Sequence, residues 1–379
     1  MAGLYIHIPF CKQACNYCDF HFSTTLKHKD DFLKALIKEI AMQKLFFGEN
    51  KNQLNTVYFG GGTPSLLSEH EINSIFDAIE NNFTVASNAE ITLEANPDDL
   101  TREKLRQFNA TPINRLSIGI QSFRNDDLKF MNRAHSSQMA LTCVKDAIDL
   151  GFHNISIDLI YGIPGLSIQN WIENLHQAFA MNVQHISAYC LTVEPKTPLD
   201  NFIKKGKISS PDEELAAQHF ETMVDEMEQN GFIQYEISNF CKKGYQSRHN
   251  SNYWTGEKYL GLGPSAHSFN GEYRQWNINK NGVYIKAINE DKIPFEKEVL
   301  TRNKRFNEYV LTSLRTREGA DLNVIQNKFG QEYSNHCLKE NTKHLSREHT
   351  TFLENKICLT QTGKLFADAI ASGFFIIED

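Results

Sequence analysis

The sequence lacks the features that would indicate a membrane-spanning, fibrous or nucleic-acid-binding protein. Its 379 residues carry 39 Lys and Arg against 46 Asp and Glu, so the net charge is −7 and no basic excess indicates a nucleic-acid partner. No apolar run approaches the ~20 residues of a membrane-spanning helix, and the start of the chain does not resemble a signal peptide. These absences predict a cytoplasmic protein with about two or three domains of ~150 residues each.

Cysteine is also scarce, and its distribution is uneven. Eight cysteines are too few for a disulfide-based scaffold, and a cytoplasmic location would keep them reduced. Five of them stand alone, and each predicts a small buried side chain: Cys143, Cys190, Cys241, Cys337 and Cys358. The other three, Cys11, Cys15 and Cys18, form a C-x₃-C-x₂-C motif that follows an apolar run. This three-cysteine motif is therefore the first candidate for a functional site.

Short apolar runs alternate with helical patterns through the first half of the chain. Strands are predicted at 4–8, 56–59, 91–94, 116–120, 155–160 and 186–189, and helices at 32–47, 138–150 and 170–181, with a further helix that Ser68 would cap. This alternation predicts an α/β fold with a parallel sheet. Six such units favour a full or partial α/β barrel, but periodicity alone leaves a doubly wound open sheet as an alternative.

The remainder of the chain is less regular. We predict a loop over 196–211, a helix that begins after Pro211, an irregular aromatic-rich stretch over 233–273, and a small α+β domain near the end. The predicted division is therefore 1–200 for the barrel, 201–300 for a helical and irregular extension, and 301–379 for a C-terminal accessory domain.

Three thiolates on one short loop can converge on a soft metal centre. A structural zinc site normally uses four protein ligands, and no second C-x₂-C is present. An iron–sulfur cluster is also held by thiolates, and three ligands on a four-iron cluster would leave one iron open. We favour the cluster over zinc, and over three packed core cysteines, because the loop is polar.

The strand, the cysteine loop and the Gly60-Gly61-Gly62-Thr63 turn together resemble the radical S-adenosylmethionine (radical SAM) superfamily. The resemblance implies a partial (β/α)6-type barrel with an accessory segment and a small winged-helix-like C-terminal domain. It also implies that Cys11, Cys15 and Cys18 bind a [4Fe–4S] cluster, whose open iron would hold S-adenosylmethionine (SAM). Cofactors would then supply the difficult chemistry.

Within that superfamily, nearly the whole chain is similar to the oxygen-independent coproporphyrinogen III oxidase group. The resemblance implies that Tyr17 lies beside the cluster and that SAM is contacted by Tyr5, Gly61, Gly62, Thr63, Glu94, Gln121, Arg133 and Asp158. Each role has a physical reason. Glycine turns let backbone groups approach a ligand closely, carboxylates can accept hydrogen bonds from a ribose diol or an ammonium, and an arginine can bind a carboxylate with two parallel hydrogen bonds.

Two departures from the oxidases point to the HemW branch of haem chaperones. Phe20 stands where the oxidases commonly carry a fourth cysteine, and the long extension that precedes their motif is missing. In addition, residues 249–254 read H-N-x-x-Y-W, which resembles the haem-binding signature of that branch and implicates His249, Tyr253 and Trp254. An imidazole is a usual axial ligand of haem iron, and the two aromatic side chains offer flat apolar faces.

The sequence therefore predicts a protein that binds a [4Fe–4S] cluster, SAM and haem and that delivers haem to apo-haemoproteins. An electron donor such as flavodoxin or ferredoxin is implied, and peripheral membrane association is left open. The alternative is a coproporphyrinogen III oxidase, and a zinc-stabilised binding module is a third class. We assign no catalytic residue, and we expect no nucleic acid, because the helix-turn-helix-like C-terminal pattern lacks a basic recognition helix.

Overall fold

The computed structural model describes residues 2–48 and 53–377. The strands are β1 (Ala2–Ile8), β2 (Gln53–Gly61), β3 (Thr84–Ala95), β4 (Arg115–Gln121), β5 (Ile155–Tyr161), β6 (His185–Cys190), β7 (Ile233–Glu236), β8 (Asn239–Cys241), β9 (Lys258–Leu262), β10 (His267–Phe269), β11 (Tyr273–Asn277), β12 (Phe295–Val299), β13 (Ala320–Asp321), β14 (Thr350–Leu353) and β15 (Lys356–Leu359).

The helices are α1 (Lys29–Met42), α2 (Glu69–Asn82), α3 (Arg102–Asn109), α4 (Asn125–Phe130), α5 (Ser137–Asp149), α6 (Ile168–Ala180), α7 (Pro198–Lys204), α8 (Glu213–Gln229), α9 (Arg248–Thr255), α10 (Asn281–Asn289), α11 (Arg302–Leu314), α12 (Leu322–Phe329), α13 (Gln331–Leu345), α14 (Gln361–Lys364) and α15 (Ala367–Gly373). Short 3₁₀ turns occupy Pro64–Leu66 and Pro97–Asp99.

The first six strands lie side by side in chain order, and each neighbouring pair is parallel. A doubly wound sheet would reverse its strand order at a switch point, so the sequential order confirms the partial barrel. The barrel sheet is extended at both edges. Strands β9 to β12 continue it beyond β1, and β8 and β7 continue it beyond β6.

Local signals explain several of the helix boundaries. Ser68 caps α2 in a complete capping box with Glu71, as the sequence predicts, and Asp212 caps α8. The predicted loop over 196–211 is wrong in part, because it contains the short helix α7. The Thr197 side chain caps that helix and Pro198 occupies its first turn, a position where the missing proline N–H has no cost.

The irregular stretch expected over 233–273 is instead ordered into β7 to β10 and helix α9. Its strands are only three to five residues long. They exist because they pair with the edges of the barrel sheet, and local periodicity does not reveal such long-range pairing.

Buried apolar side chains form two separate cores. The first extends along the chain from Ala2 to Ile288 and includes residues of the predicted extension as well as the barrel. The second core runs from Phe306 to Phe374. This part of the chain also contains a separate three-stranded sheet, in the order β13-β15-β14. The part of the chain predicted to form the C-terminal accessory domain thus contains a core of its own, and the predicted domain boundaries stay a prediction.

Among the residues that the structure describes, no helix combines the length and the apolar character needed to cross a bilayer.

Candidate cofactor site

A cavity of about 820 Å³ opens at the carboxyl ends of the barrel strands. Active sites of α/β barrels gather at this end. The sequence-predicted residues in its wall are Cys11, Cys15, Cys18, Tyr17, Gly61, Gly62, Thr63, Glu94, Gln121, Arg133 and Asp158. Residues 364–369 of the C-terminal domain line the opposite side. The structure therefore brings the cysteine motif and the strand-end residues into one chamber.

The cysteine loop is held in place by hydrogen bonds to the segment after β4. The Asn16 amide N–H donates to the Met131 carbonyl at 3.0 Å, and the Asn16 side chain donates to the Phe130 carbonyl at 2.7 Å. From the other side, the Asn132 side chain donates to the Ala14 carbonyl at 2.7 Å. The loop is thus fixed to the barrel independently of any bound group.

The three cysteines are free thiols and are partly exposed. Burial raises the pKa of Cys18 to about 11, and burial also raises the pKa of Cys11, against the opposing hydrogen bond from Thr63. The Arg133 guanidinium donates to the Cys15 sulfur at 3.4 Å. A bound cation would favour the thiolate forms that burial disfavours.

The donor set fits an iron–sulfur cluster better than a single ion. No group of three or more His, Cys, Asp or Glu within residues 2–48 and 53–377 is placed to hold one metal ion, so the zinc alternative has no ligand set there. In a four-iron cluster each thiolate binds a different iron. Three sulfurs spaced around one cavity, as these are, suit that arrangement.

The glycine turn after β2 is required by packing. A Cβ on Gly61, whose φ is +105°, would lie 2.6 Å from the His7 ring, and a Cβ on Gly62 would lie 2.6 Å from the Phe10 carbonyl oxygen. Their amide groups are already used, because Gly61 N donates to the Glu94 carboxylate and Gly62 N donates to the Ile8 carbonyl. The glycines therefore allow β2 to pack closely against β1 and the segment that follows it, and their N–H groups serve the protein.

The Glu94 carboxylate is half-buried in the cavity wall and has two hydrogen-bond donors of its own. It accepts hydrogen bonds from the Tyr58 hydroxyl at 2.8 Å and from Gly61 N at 3.2 Å. Burial, with a smaller contribution from the nearby Asp158 carboxyl, raises the pKa of Glu94 to about 7 against the opposing hydrogen bond from Tyr58. A carboxylate in this environment is ready to accept a cationic or hydroxyl-bearing ligand.

Asp158 on β5 is the second buried carboxyl. Burial raises the pKa of Asp158 to about 6, although hydrogen bonds from Ser187 and Ser117 and the charge of Arg115 act in the opposite direction. Two carboxyl groups with raised pKa values in one cavity are typical of a functional site.

Arg133 is bonded within the protein. Its Nη2 donates to the Asn96 side-chain oxygen at 2.7 Å and to the Gly119 carbonyl at 2.8 Å. Because Nη1 contacts Cys15, most of the guanidinium is committed to holding the cysteine loop near β3 and β4. Gln121 ends β4 at a φ of +68°, a conformation that costs about 1–3 kcal/mol in a non-glycine residue and that clusters at functional sites.

The two tyrosines expected at the cofactors are placed differently. Tyr17 lines the cavity and forms a hydrogen bond with Arg133. Tyr5 lies in the barrel interior, where its hydroxyl is 3.2 Å from His7 Nδ1 and its ring stacks near Tyr58, and it is not part of the cavity wall.

Sequence reasoning missed several residues that position the cavity. Tyr58 binds Glu94, Asn96 joins Arg133 to Thr63, and the serines on β4 and β6 bind Asp158. Asn96 and Tyr58 lie next to the strand-end motifs that the sequence analysis recognised. This position was the one signal that could have indicated a role at the cavity.

The predicted haem motif lies on helix α9, away from this cavity. His249 is 1% exposed, and both of its ring nitrogens are engaged, Nδ1 with Thr56 Oγ1 at 2.8 Å and Nε2 with the Tyr253 hydroxyl at 2.9 Å. Burial lowers the pKa of His249 to about 3, so the ring is neutral. Neither ring nitrogen is therefore free. To bind an iron, the imidazole would have to break one of these two hydrogen bonds.

Tyr253 and Trp254 face a different space. They line a second cavity of about 500 Å³ between the barrel sheet and helices α11 and α12. The Arg315 guanidinium, which also lines the cofactor cavity, lies 5.5 Å from the centre of the Trp254 ring. The structure thus separates the motif into a buried histidine and two aromatic side chains at a cleft.

Comparison with known proteins first identifies the class. The family model described as the radical SAM superfamily matches residues 5–178. A solved structure described as the coproporphyrinogen III oxidase HemN from Escherichia coli, a radical SAM enzyme, covers 99% of this chain and 90% of its own, with a TM-score of 0.85 and 24% sequence identity. At that identity the likeness shows the fold.

Curated relatives narrow the assignment. A Bacillus subtilis (strain 168) protein named Heme chaperone HemW is 34% identical over 99% of this chain and 99% of its own. Its namesake from Mycobacterium tuberculosis (strain ATCC 25618 / H37Rv) is 33% identical over 97% and 93%. The Danio rerio protein named radical S-adenosyl methionine domain-containing protein 1, mitochondrial, is 36% identical over 70% and 60%. The chain belongs to the HemW family of the radical SAM superfamily.

Proposed function

We propose that this protein is a haem chaperone that binds a [4Fe–4S] cluster, SAM and haem, and that hands haem to apo-haemoproteins. The observation that carries the proposal is the 34% identity, over 99% of both chains, to a protein named Heme chaperone HemW. The geometry of the cofactor cavity supports the cluster and SAM parts of the proposal.

In this proposal Cys11, Cys15 and Cys18 ligate the cluster, which would supply electron transfer and one open iron for SAM. Arg133 holds the loop through Cys15 and through Asn96. Its positive charge beside the thiolates offsets part of the negative charge that three sulfurs bring into a half-buried site.

Glu94 and Asp158 would receive SAM. SAM carries a sulfonium, an ammonium and a ribose diol, and these groups suit two buried carboxyls whose burial disfavours the charged form until a cation or donor arrives. The glycine turn leaves room for the ligand to approach the β2 backbone, and Gln121 and Thr63 border the same space.

Haem would bind through the motif on α9, with Tyr253 and Trp254 as its apolar contacts. His249 would contribute from beneath this surface, where its ring is hydrogen-bonded to Thr56 and Tyr253. The family relation supports haem as the cargo and haemoproteins as partners.

The alternative is a coproporphyrinogen III oxidase. Phe20, where the resemblance predicts a fourth cysteine in such an enzyme, is 69% exposed and lines the mouth of the cofactor cavity. The thiol that the enzyme motif would contribute at this place is replaced by an exposed ring, which favours the chaperone.

Haem transfer tests the proposal directly. The protein is purified and reconstituted without oxygen, its iron and sulfide are measured, and it is loaded with haemin. We expect near-equal iron and sulfide, a Soret band on the protein, and appearance of haem in an added apo-cytochrome.

The decarboxylase assay is the control. Anaerobic conversion of coproporphyrinogen III to protoporphyrinogen IX by the reconstituted protein would overturn the chaperone assignment. A preparation that contains one zinc and no sulfide would instead contradict the cluster.

A further inference from the structure

The interior of the barrel holds a buried arginine beneath the cofactor cavity. Arg115 begins β4 and is 1% exposed. Alternate residues of a strand face the same side, and Ser117 and Gly119, the next two on that side, line the cavity. On the neighbouring strand β3, Thr92 is aligned with Arg115. Glu94, two residues further on, is aligned with Ser117. Arg115 and Glu94 are therefore diagonal neighbours with a Cα separation of about 8 Å, which a long arginine side chain can span.

The Arg115 guanidinium lacks the partner that a buried charge normally has. Its Nε has no hydrogen-bond partner among the residues that the structure describes. Arg115 also forms no ion pair within residues 2–48 and 53–377, where the ion pairs of arginine involve other positions. Buried charges in proteins are almost always paired. A buried charge without a partner is more typical of a functional site than of a structural core.

Two carboxyls of the cofactor cavity are affected by this charge. Burial raises the pKa of Glu94 and of Asp158, and the charge of Arg115 opposes that rise in both groups. Ser117 lies between them, because it forms a hydrogen bond with Asp158 and is the strand neighbour of Glu94. A cation on the inner side of the two carboxyls therefore favours their ionised forms.

Glu90 is a third carboxylate on the same face of β3, and it has other partners. One of its oxygens accepts the backbone N–H of Arg248 at 3.0 Å, and the other accepts the backbone N–H of His249 at 2.9 Å. Glu90 is thus bonded to the start of α9. Glu94 and Asp158, in contrast, line the cofactor cavity and can receive a ligand there.

We propose that Arg115 is a positioning residue of the SAM site, whose buried guanidinium is the counter-charge that keeps the Glu94 and Asp158 carboxyls ionised for a cationic ligand. The inference rests on the proposed binding of SAM and adds the residue that prepares the carboxyls for it. SAM would contact Glu94 and Asp158, and Arg115 acts through them from inside the barrel. With a neutral residue at position 115, the two carboxyls repel each other without compensation, so one of them keeps its proton to a higher pH.

The other titratable and charged groups around the two carboxyls stay the same in every variant of the test. Those that face the carboxyls are Tyr5 on β1, Cys11 on the cysteine loop, Tyr58 on β2, Arg133 after β4, Tyr189 on β6 and Tyr253 on α9. Burial raises the pKa of all four tyrosines, so they are neutral near pH 7. On the inner side, burial and then the charge of Arg115 lower the pKa of His185 and His249, which are neutral too.

The pH profile of SAM binding tests the proposal. Isothermal calorimetry on the full-length reconstituted protein gives the affinity for SAM between about pH 6 and pH 9. Each protein is compared with its own affinity at the upper end of this range, and the pH of half-maximal affinity is read. In Arg115→Met this pH should rise by roughly one unit, the shift expected when one nearby opposite charge is lost. Arg115→Gln is a second neutral variant and should behave in the same way.

Two variants serve as controls. Arg115→Lys keeps the charge, so its pH of half-maximal affinity should move by less than half as much as in Arg115→Met. Thr92→Val removes the aligned hydroxyl, which is also buried and has no hydrogen-bond partner among the described residues, and it leaves the charge unchanged. Its pH profile should match that of the wild type. Iron and sulfide content reports that the fold and the cluster site are intact in each variant.

Each contrary result has a distinct meaning. If the reconstituted wild type does not bind SAM, the proposed binding of SAM fails. If the wild type binds SAM and the neutral variants keep its pH profile, SAM binding stands and the role of Arg115 as counter-charge is overturned. If Arg115→Lys or Thr92→Val shifts the profile as much as Arg115→Met does, packing in the barrel interior and not charge sets the profile, and the proposal is again overturned.

Discussion

The cofactor cavity and the second cavity, a cleft lined by Tyr253 and Trp254, are built on different principles. In the cavity, polar side chains are bonded to one another before any ligand arrives, as Glu94 is to Tyr58 and Arg133 is to Asn96. In the cleft, exposed cations and a buried indole N–H lack partners among the described residues. A site that holds resident cofactors benefits from preorganisation.

The two sites also approach each other physically. Arg315 lines the cofactor cavity, forms ion pairs with Glu236 and Asp368, and lies over the Trp254 ring at the edge of the cleft. On the buried side, the His249 ring stacks on Tyr58 at 5.0 Å, and Tyr58 donates to Glu94. The predicted haem motif and Glu94 are therefore joined through a single side chain, Tyr58.

The largest effect is expected at the cysteine loop. Cys15→Ala should abolish retention of iron and sulfide after anaerobic reconstitution, because a cluster with two protein thiolates is poorly held. Iron and acid-labile sulfide per chain are the measurement. Cys190→Ala is the matched control, since Cys190 lines the same cavity outside the motif. Equal loss in both variants would contradict a three-cysteine ligand set.

Glu94→Gln should weaken SAM binding next most strongly. A hydrogen bond to a charged group contributes about 1.5–3 kcal/mol, so the Kd for SAM should rise roughly tenfold to a hundredfold. Isothermal calorimetry on the reconstituted protein measures this. Glu194→Gln, in the same cavity wall, should change the Kd little, and an equal effect there would mean that overall charge matters more than the position of Glu94.

His249→Ala should lower the free energy of unfolding by about 2–4 kcal/mol, because the buried Thr56 and Tyr253 hydroxyls each lose a partner. Chemical denaturation measures the loss. His249→Gln can keep one of these hydrogen bonds and should lose less. If the Gln variant folds normally and its haem spectrum matches the wild type, the imidazole is not an iron ligand. If the spectrum changes while stability is preserved, axial ligation by His249 is supported, and the ring must then give up one of its two hydrogen bonds when haem binds.

Some residues of the two cavities could be predicted from the sequence, and others could not. The cysteine motif and the strand-end residues were predictable because parallel strands bring their carboxyl ends to one edge. The partners Tyr58 and Asn96 were not assigned, because residue type alone does not say which neighbour a buried carboxylate or guanidinium will bond. His249 was hardest to place, since its burial depends on how α9 packs beneath β2, and no local pattern specifies that contact.

A smaller effect follows from the raised pKa of Glu94, about 7 in the folded protein. A folded-state pKa above the unfolded value means that stability from this group is complete below pH ~4.5 and is lost as pH rises through about 7. In the absence of SAM, the melting temperature of the Glu94→Gln variant should therefore rise relative to that of the wild type, by a few degrees, as the pH increases from 5 to 8. Because the Glu94 and Asp158 carboxyls raise each other's pKa, the substitution also lowers the pKa of Asp158, which changes the difference in the same direction. A difference that is flat with pH would contradict a raised pKa at Glu94.

The smallest effect is expected at the mouth of the cofactor cavity, where Phe20 is 69% exposed. Phe20→Cys should change the free energy of unfolding by no more than about 0.5 kcal/mol, leave iron and sulfide unchanged, and confer no decarboxylation of coproporphyrinogen III. Denaturation, iron analysis and the anaerobic oxidase assay measure these outcomes, with Phe20→Ala as the control. Activity in the Cys variant and not in the Ala variant would locate the difference between chaperone and oxidase in the cluster loop. Its absence leaves that difference to features outside the loop.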